Sequence, residues 1–272
     1  MVVAPVLGGL TVGLMARFGS EKIRGHGIPE AIEAILIGGS RMSPKVAVLK
    51  PLSSAISIGT GGPFGAEGPI IMTGGAIGSL FAQFFHLSAA ERKTLLVAGA
   101  AAGMTAIFGT PIAAVLLAVE LLLFEWKPRS FIPVAVAAGV SISWRPFLFG
   151  AGPLFPASFQ LTLPWYGLLI CVAVGVIVGL QSGLLTTLLY KLEDVFEQLP
   201  VHWMSWPAIG GLVVGAGGLI EPRALGVGYD VIGDLLGGHI LAQAALAVLL
   251  VKSGIWLVAL SSGTSGGCWL PC

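Results

Sequence analysis

Between Trp165 and Tyr190 the chain runs for 26 residues without a charged side chain. As a helix rising roughly 1.5 Å per residue, that run is about 39 Å long, enough to cross a hydrocarbon core of about 30 Å with some tilt. The rest of the chain agrees with a membrane setting: 56% of its 272 residues are hydrophobic, 10% are charged and the mean hydropathy is +0.94. A net charge of +1 and the lack of a basic stripe exclude nucleic-acid binding. Cys171, Cys268 and Cys272 show neither metal-ligand spacing nor a disulfide framework and read as small packing residues. No cofactor or metal is implied. The opening Met-Val-Val-Ala-Pro has no basic region, so no cleavable signal peptide is expected.

The second long uncharged run, Thr94–Val119, is interrupted by Gly109-Thr110-Pro111, and proline inside a helix removes a hydrogen bond and clashes with the preceding turn. Two shorter helices are expected there. Forty glycines and seventeen prolines are too many for plain spanning helices. They point to close helix packing and to broken helices whose irregular backbone lines a cavity, an arrangement that favours transport. Val2–Met15, Val46–Ile58, Pro69–Phe85 and Phe131–Phe149 read as further apolar segments, and Ala31–Gly38 as a half-helix. His86–Lys93 is expected as a polar turn, and Lys191–Gln198 as the polar end of the long span. Arg17, Lys22 and Arg24 form the densest basic cluster, which the positive-inside tendency places in the cytoplasm. Trp126, Trp144, Trp165, Trp203 and Trp206 flank apolar runs and read as interfacial anchors, and Lys50 and Lys252 as snorkelling or paired.

The loop Gly59-Thr-Gly-Gly-Pro-Phe-Gly-Ala-Glu67-Gly-Pro69 sets a carboxylate where unwound backbone meets a helix start, between apolar segments. Parts of this region recur. Pro5–Gly13 returns as Pro207–Gly215, a shift of 202; Gly25-His-Gly-Ile28 as Gly226-Val-Gly-Tyr229, a shift of 201; and Gly59-Thr-Gly-Gly62 as Gly263-Thr-Ser-Gly266, a shift of 204. The chain is therefore read as an all-α inverted-repeat bundle with broken half-helices. Residues 1–150 form a first repeat lacking its first long helix, 151–163 a connector, and 164–272 a second repeat cut short at its C-terminal end. Half-helix N-termini bring unpaired N–H groups and a positive dipole end to an anion, and three starts fit: Gly25–Pro29, Gly65–Pro69 and Gly266–Pro271.

At these residues the chain resembles the CLC family of chloride channels and proton-coupled chloride transporters. The motifs fall in family order: Gly25-x-Gly-Ile-Pro29, Gly65-x-Glu-Gly-Pro69 and Gly267-x-Trp-x-Pro271. The resemblance implies a multi-pass protein of the bacterial inner membrane, a homodimer with one pore per subunit, and chloride as the bound substrate, with protons as a second one. It makes Glu67 the gate, whose carboxylate occupies an anion site when charged and leaves when protonated. Burial among apolar segments and helix-start amides pull that charge in opposite directions, so it can answer proton and anion alike. The resemblance puts His26, Gly27, Ile28, Gly65, Gly68 and the amides of Cys268, Trp269 and Leu270 in the anion path. Three positions depart from the family pattern. His26 stands in place of serine, Ala66 in place of a basic residue and Trp269 in place of phenylalanine. The proton-relay position falls on Leu121, which cannot carry a proton, so coupling by the usual route is in doubt; Glu120 reads as structural and Glu125 as a solvated loop residue. The family tyrosine that closes the central site has no counterpart in this chain.

Two other readings remain. Gly263-Thr-Ser-Gly266 matches the Gly-x-Ser-Gly motif of intramembrane serine proteases, with His239 the nearest base, although the aligned position in the first repeat is Gly61 and no histidine follows Ser265. Gly228-Tyr-Asp230 matches half of an aspartyl-protease pair without its partner. A chain lacking both ends is also open to being a non-conducting fragment.

Overall fold

The computed structural model describes residues 2–25, 27–150, 152, 155 and 166–265. Its α-helices are α1 Val3–Phe18, α2 Ile28–Leu36, α3 Pro44–Gly59, α4 Glu67–Phe84, α5 Ala89–Phe108, α6 Pro111–Leu117, α7 Pro128–Phe149, α8 Tyr166–Glu197, α9 Trp206–Ile220, α10 Tyr229–Leu236 and α11 Ala242–Ser261. A π-helical stretch, Ala118–Leu123, continues α6. Four helical segments among the described residues are long and apolar enough to cross a membrane: Pro128–Phe149, Tyr166–Glu197, Trp203–Ile220 and Ala242–Ser261. The break expected at Gly109–Pro111 is present. Gly109 ends α5 in the left-handed conformation (φ 68°), and Pro111 opens α6, where its missing N–H costs nothing.

Two expectations change in detail. Lys191–Gln198 does not end the long span, because α8 stays helical through Glu197; straight-chain and acidic residues sustain a helix as well as apolar ones do. The turn at His86 is shorter than expected, since Ser88 caps α5: its Oγ accepts from the Glu91 amide at 3.4 Å, while Glu91 Oε2 accepts from the Ser88 amide at 3.0 Å. The boundary between the expected repeats falls mostly on residues outside those described.

Helix contacts are made by glycine. A Cβ at Gly9 of α1 would overlap the Pro207 carbonyl, and one at Gly211 of α9 would overlap the Pro5 carbonyl. Likewise Gly13 lies on the Met204 carbonyl and Gly215 on Val2. In both pairs of contacts, residue i touches j plus 202 while j touches i plus 202, the reciprocity of a two-fold relation between α1 and α9. Glycines four apart let these backbones meet, as they do between α4 and α5, where Gly74 and Gly99 each abut the other's carbonyl.

The loops interlock by the same symmetry. Gly25 forms a parallel bridge with Ser265, and the Gly226 amide donates to the Gly61 carbonyl at 3.1 Å. Each half's first glycine turn therefore pairs with the other half's second. One apolar core, around Ile71, Leu96, Val97, Leu122 and Val134, joins α2 and α4 to α7; a second, around Leu189, Val214, Ile255 and Leu260, joins α8, α9 and α11. Phe64, from the loop before α4, is buried in the second core and ties the halves together.

Candidate functional site

The starts of α2 and α4 meet backbone to backbone. Gly27 has φ 102°, a conformation open to glycine, and a Cβ there would strike the carbonyl and Cα of Gly68. Gly27 and Gly68 are buried, while Ile28 is half-buried against the first core. Two of the three expected helix starts are thus brought together, with Gly65 one short turn away. His26 and the whole third start, including Cys268, Trp269 and Leu270, lie outside the described residues.

Glu67 is the first residue of α4 and is exposed. Its carboxylate folds back over Gly65, occupying the space a Cβ there would need, and it forms no hydrogen bond or ion pair among the described residues. A carboxylate at the positive end of a helix, with no partner holding it, is free to change position.

The turn ahead of α2 is fixed by groups that sequence reading did not assign to it. Glu30 Oε2 accepts from the Gly27 amide at 2.6 Å, so this N–H already has a carboxylate partner. Lys50, fully buried in α3, donates from Nζ to the carbonyls of Ile23 at 2.9 Å and Gly25 at 2.6 Å. The second half repeats the arrangement: Lys252, 202 residues on, donates to the carbonyls of Gly226 at 2.9 Å and Val227 at 3.3 Å. Both lysines pair, as expected, but with backbone carbonyls of the unwound turns. The repeat offset was the signal available for this role, since Lys50 and Lys252 align.

Other expected residues are placed differently. Arg24 is buried with its guanidinium 4.5 Å from the Trp203 ring centre and 6.0 Å from that of Trp206, a cation–π contact that sequence reading did not assign to it. Glu120 is exposed in the π-helical stretch and satisfies no donor among the described residues, while Leu121 packs against the first core. Glu125 is held by Lys127 at 2.7 Å and Ser130 at 2.8 Å; these bonds, Lys127 first, keep its carboxyl below the usual carboxylate range. A cavity of about 320 Å³ lies beside α2, lined among others by Glu21, Lys22, Glu30, Glu33 and Arg41. Ser265 is fully buried, and among the described residues its hydroxyl meets those of Ser53 at 2.7 Å and Ser54 at 3.2 Å, partners that do not act as a general base.

Two glycine-rich helix starts thus face each other beside a carboxylate that has no partner among the described residues. The sequence model described as voltage gated chloride channel matches residues 8–272. The chain belongs to this CLC family. This CLC chain is 28% identical to a ClcB-like protein of Ralstonia nicotianae over 99% of its own length, and 32% identical to the H⁺/Cl⁻ exchange transporter ClcA of Cronobacter sakazakii over 95%. It spans 64% of the first relative's length and 56% of the second's. The crystal structure of a slow cyanobacterial Cl⁻/H⁺ antiporter matches 98% of the chain, and 63% of its own, with a TM-score of 0.86 at 19% identity. That of a CLC-type fluoride/proton antiporter matches 98% of the chain and 67% of its own, with a TM-score of 0.82 at 20% identity. These two likenesses carry the fold, an all-α CLC membrane architecture.

Proposed function

We propose that the protein moves small anions, chloride first among them, across a membrane along a CLC-type path gated by Glu67, as a channel or a weakly coupled H⁺/Cl⁻ exchanger. The observation that carries this reading is the apposition of Gly27 and Gly68 with the unpaired Glu67 carboxylate folded over Gly65. An anion meets backbone and helix dipoles there, which attract it without holding it too tightly to leave. In this reading His26, Gly27, Ile28, Gly65, Gly68, Cys268, Trp269 and Leu270 line the path, with the Gly27 amide already donating its hydrogen bond to Glu30. The names of the relatives, a chloride channel protein and H⁺/Cl⁻ exchangers, support chloride and protons as the moving species. We also place it in a bacterial inner membrane as a homodimer, with repeats at 1–150 and 164–272, no enzyme activity and no organic cofactor.

Anion efflux from liposomes tests the gate. Glu67→Gln, which keeps the shape and removes the charge, is expected to change efflux about tenfold or more and to flatten its dependence on pH, the loss of one charge-dependent interaction of over 1 kcal/mol. Unchanged efflux with an unchanged pH profile would remove Glu67 from the path.

A further inference from the structure

We infer that a single water molecule is bound between the two halves of the chain, hydrogen-bonded to Ser57, Thr60 and Thr264, and that it ties the loop leading into Glu67 to the matching loop of the second half. A cavity of about 10 Å³ lies there, room for one water molecule. Its walls come in pairs related by the repeat: Gly9 with Gly211 and Ser57 with Ala259, each 202 apart, and Thr60 with Thr264, 204 apart. The cavity therefore sits where α1 meets α9, and where α3 and α11 end and turn into the two glycine loops.

Ser57 is what calls for an occupant. It is 4% exposed, and its hydroxyl has no hydrogen-bond partner among the described residues. A buried O–H that loses water and gains nothing is costly, so such groups find a partner, and ordered water serves where no protein group is in reach. The two threonines on the same wall are left as acceptors. Thr60 Oγ1 spends its one proton on the carbonyls of Ile56 at 2.8 Å and Ser57 at 3.1 Å. Ser262 Oγ donates to the Ala259 carbonyl at 2.7 Å, so the proton in its 2.8 Å contact with Thr264 comes from Thr264. One donor and two acceptors match one water, which accepts from Ser57 and donates to Thr60 and Thr264, about three bonds being usual for buried water. The same set suits no ion. Two lone pairs repel an anion, and no charged side chain among the described residues lines the cavity to balance a cation. Held in this way, the water joins Thr60 at the foot of the Gly59–Pro69 loop to Thr264 beyond the end of α11, two residues that share no direct hydrogen bond among the described residues.

Ser57→Ala deletes the hydroxyl and little else, and the sign of its effect decides the matter. Without a partner, the hydroxyl is a buried polar group whose removal raises the thermal midpoint of the detergent-solubilised protein; bonded to water, its removal lowers the midpoint, by about 2–4 °C. Thr264→Val should lower the midpoint as well, through the water and through Ser262. The double variant should lose less than the sum of the two, because both act through one molecule. A midpoint raised or unchanged in Ser57→Ala, or losses that add, overturns the inference. Exchanging sodium for choline in the buffer should leave the parent's midpoint in place; a fall that Ser57→Ala abolishes would mean a bound cation and no water. An experimental structure of the parent fine enough to show ordered water gives the direct reading. A density peak about 2.7–3.2 Å from all three hydroxyls is expected, and none there overturns the assignment.

Discussion

Lys50 shows what a single buried charge can be for. Its ammonium has left water entirely, and what repays it is two carbonyl oxygens, those of Ile23 and Gly25, neither of which has a helix to satisfy it. Replacing it with methionine strands both carbonyls, and each buried orphan costs roughly 1–3 kcal/mol. Lys252 likewise donates to two carbonyls of an unwound turn but is only half-buried, so water can take over part of its work. Lys50→Met is therefore expected to lower the thermal midpoint of the detergent-solubilised protein well below that of Lys252→Met. Equal losses would mean that burial is not what sets the value of these bonds. Sequence made Glu67, Gly27 and Gly68 legible because glycine and proline mark where backbone must be unwound. It did not reveal that Glu30 takes the Gly27 amide or that Lys50 reaches back 27 positions to Ile23, since such partners are chosen by the tertiary approach of α3 to that turn.

Among the elements, glycine has two different meanings, and only the structure separates them. In α1 and α9, Gly9 and Gly211 are where two backbones touch, and a side chain at either would overlap a proline carbonyl of the other helix. In α8, Gly175, Gly179 and Gly183 are spaced just as regularly, yet a Cβ at any of them meets open space. The two sets answer substitution in opposite directions. Gly9→Ala and Gly211→Ala are expected to destabilise by about 1–3 kcal/mol through overpacking, and the double variant by less than the sum because both act on one contact. Gly179→Ala should be neutral or stabilising by about 0.5–1 kcal/mol, since it removes only the helix penalty of glycine. Thermal melts of the three single variants check this; a loss from Gly179→Ala as large as that from Gly9→Ala would show that the outward face of α8 is covered. The all-α class was readable from apolar runs, and the break between α5 and α6 from Gly109–Pro111. The contact made by each glycine was not, because composition carries no information on which faces meet.

At the scale of the whole molecule the two halves are not neighbours but are woven together. Gly25 pairs with Ser265, Gly226 with Gly61, and Phe64 is buried in the other half's core. The loops that pair include stretches that recur in the sequence at shifts of 201 and 204. In the function proposed above, an anion passes along backbone between these loops, while a proton needs titratable side chains at both ends, with Glu67 as one. On the other side Leu121 is packed into the first core, and Glu120, its neighbour, is exposed and turned to no partner among the described residues. In the function proposed above, the apolar side chain of Leu121 interrupts proton transfer between Glu67 and Glu120. Liposomes loaded with chloride and placed in low chloride should therefore lose the anion with little or no uphill proton uptake. Leu121→Glu, which sets an acid into that layer, should increase the uptake per chloride moved. Steady uphill proton pumping by the parent protein, undiminished by Leu121→Ala, would show that protons travel by a route that does not use this position.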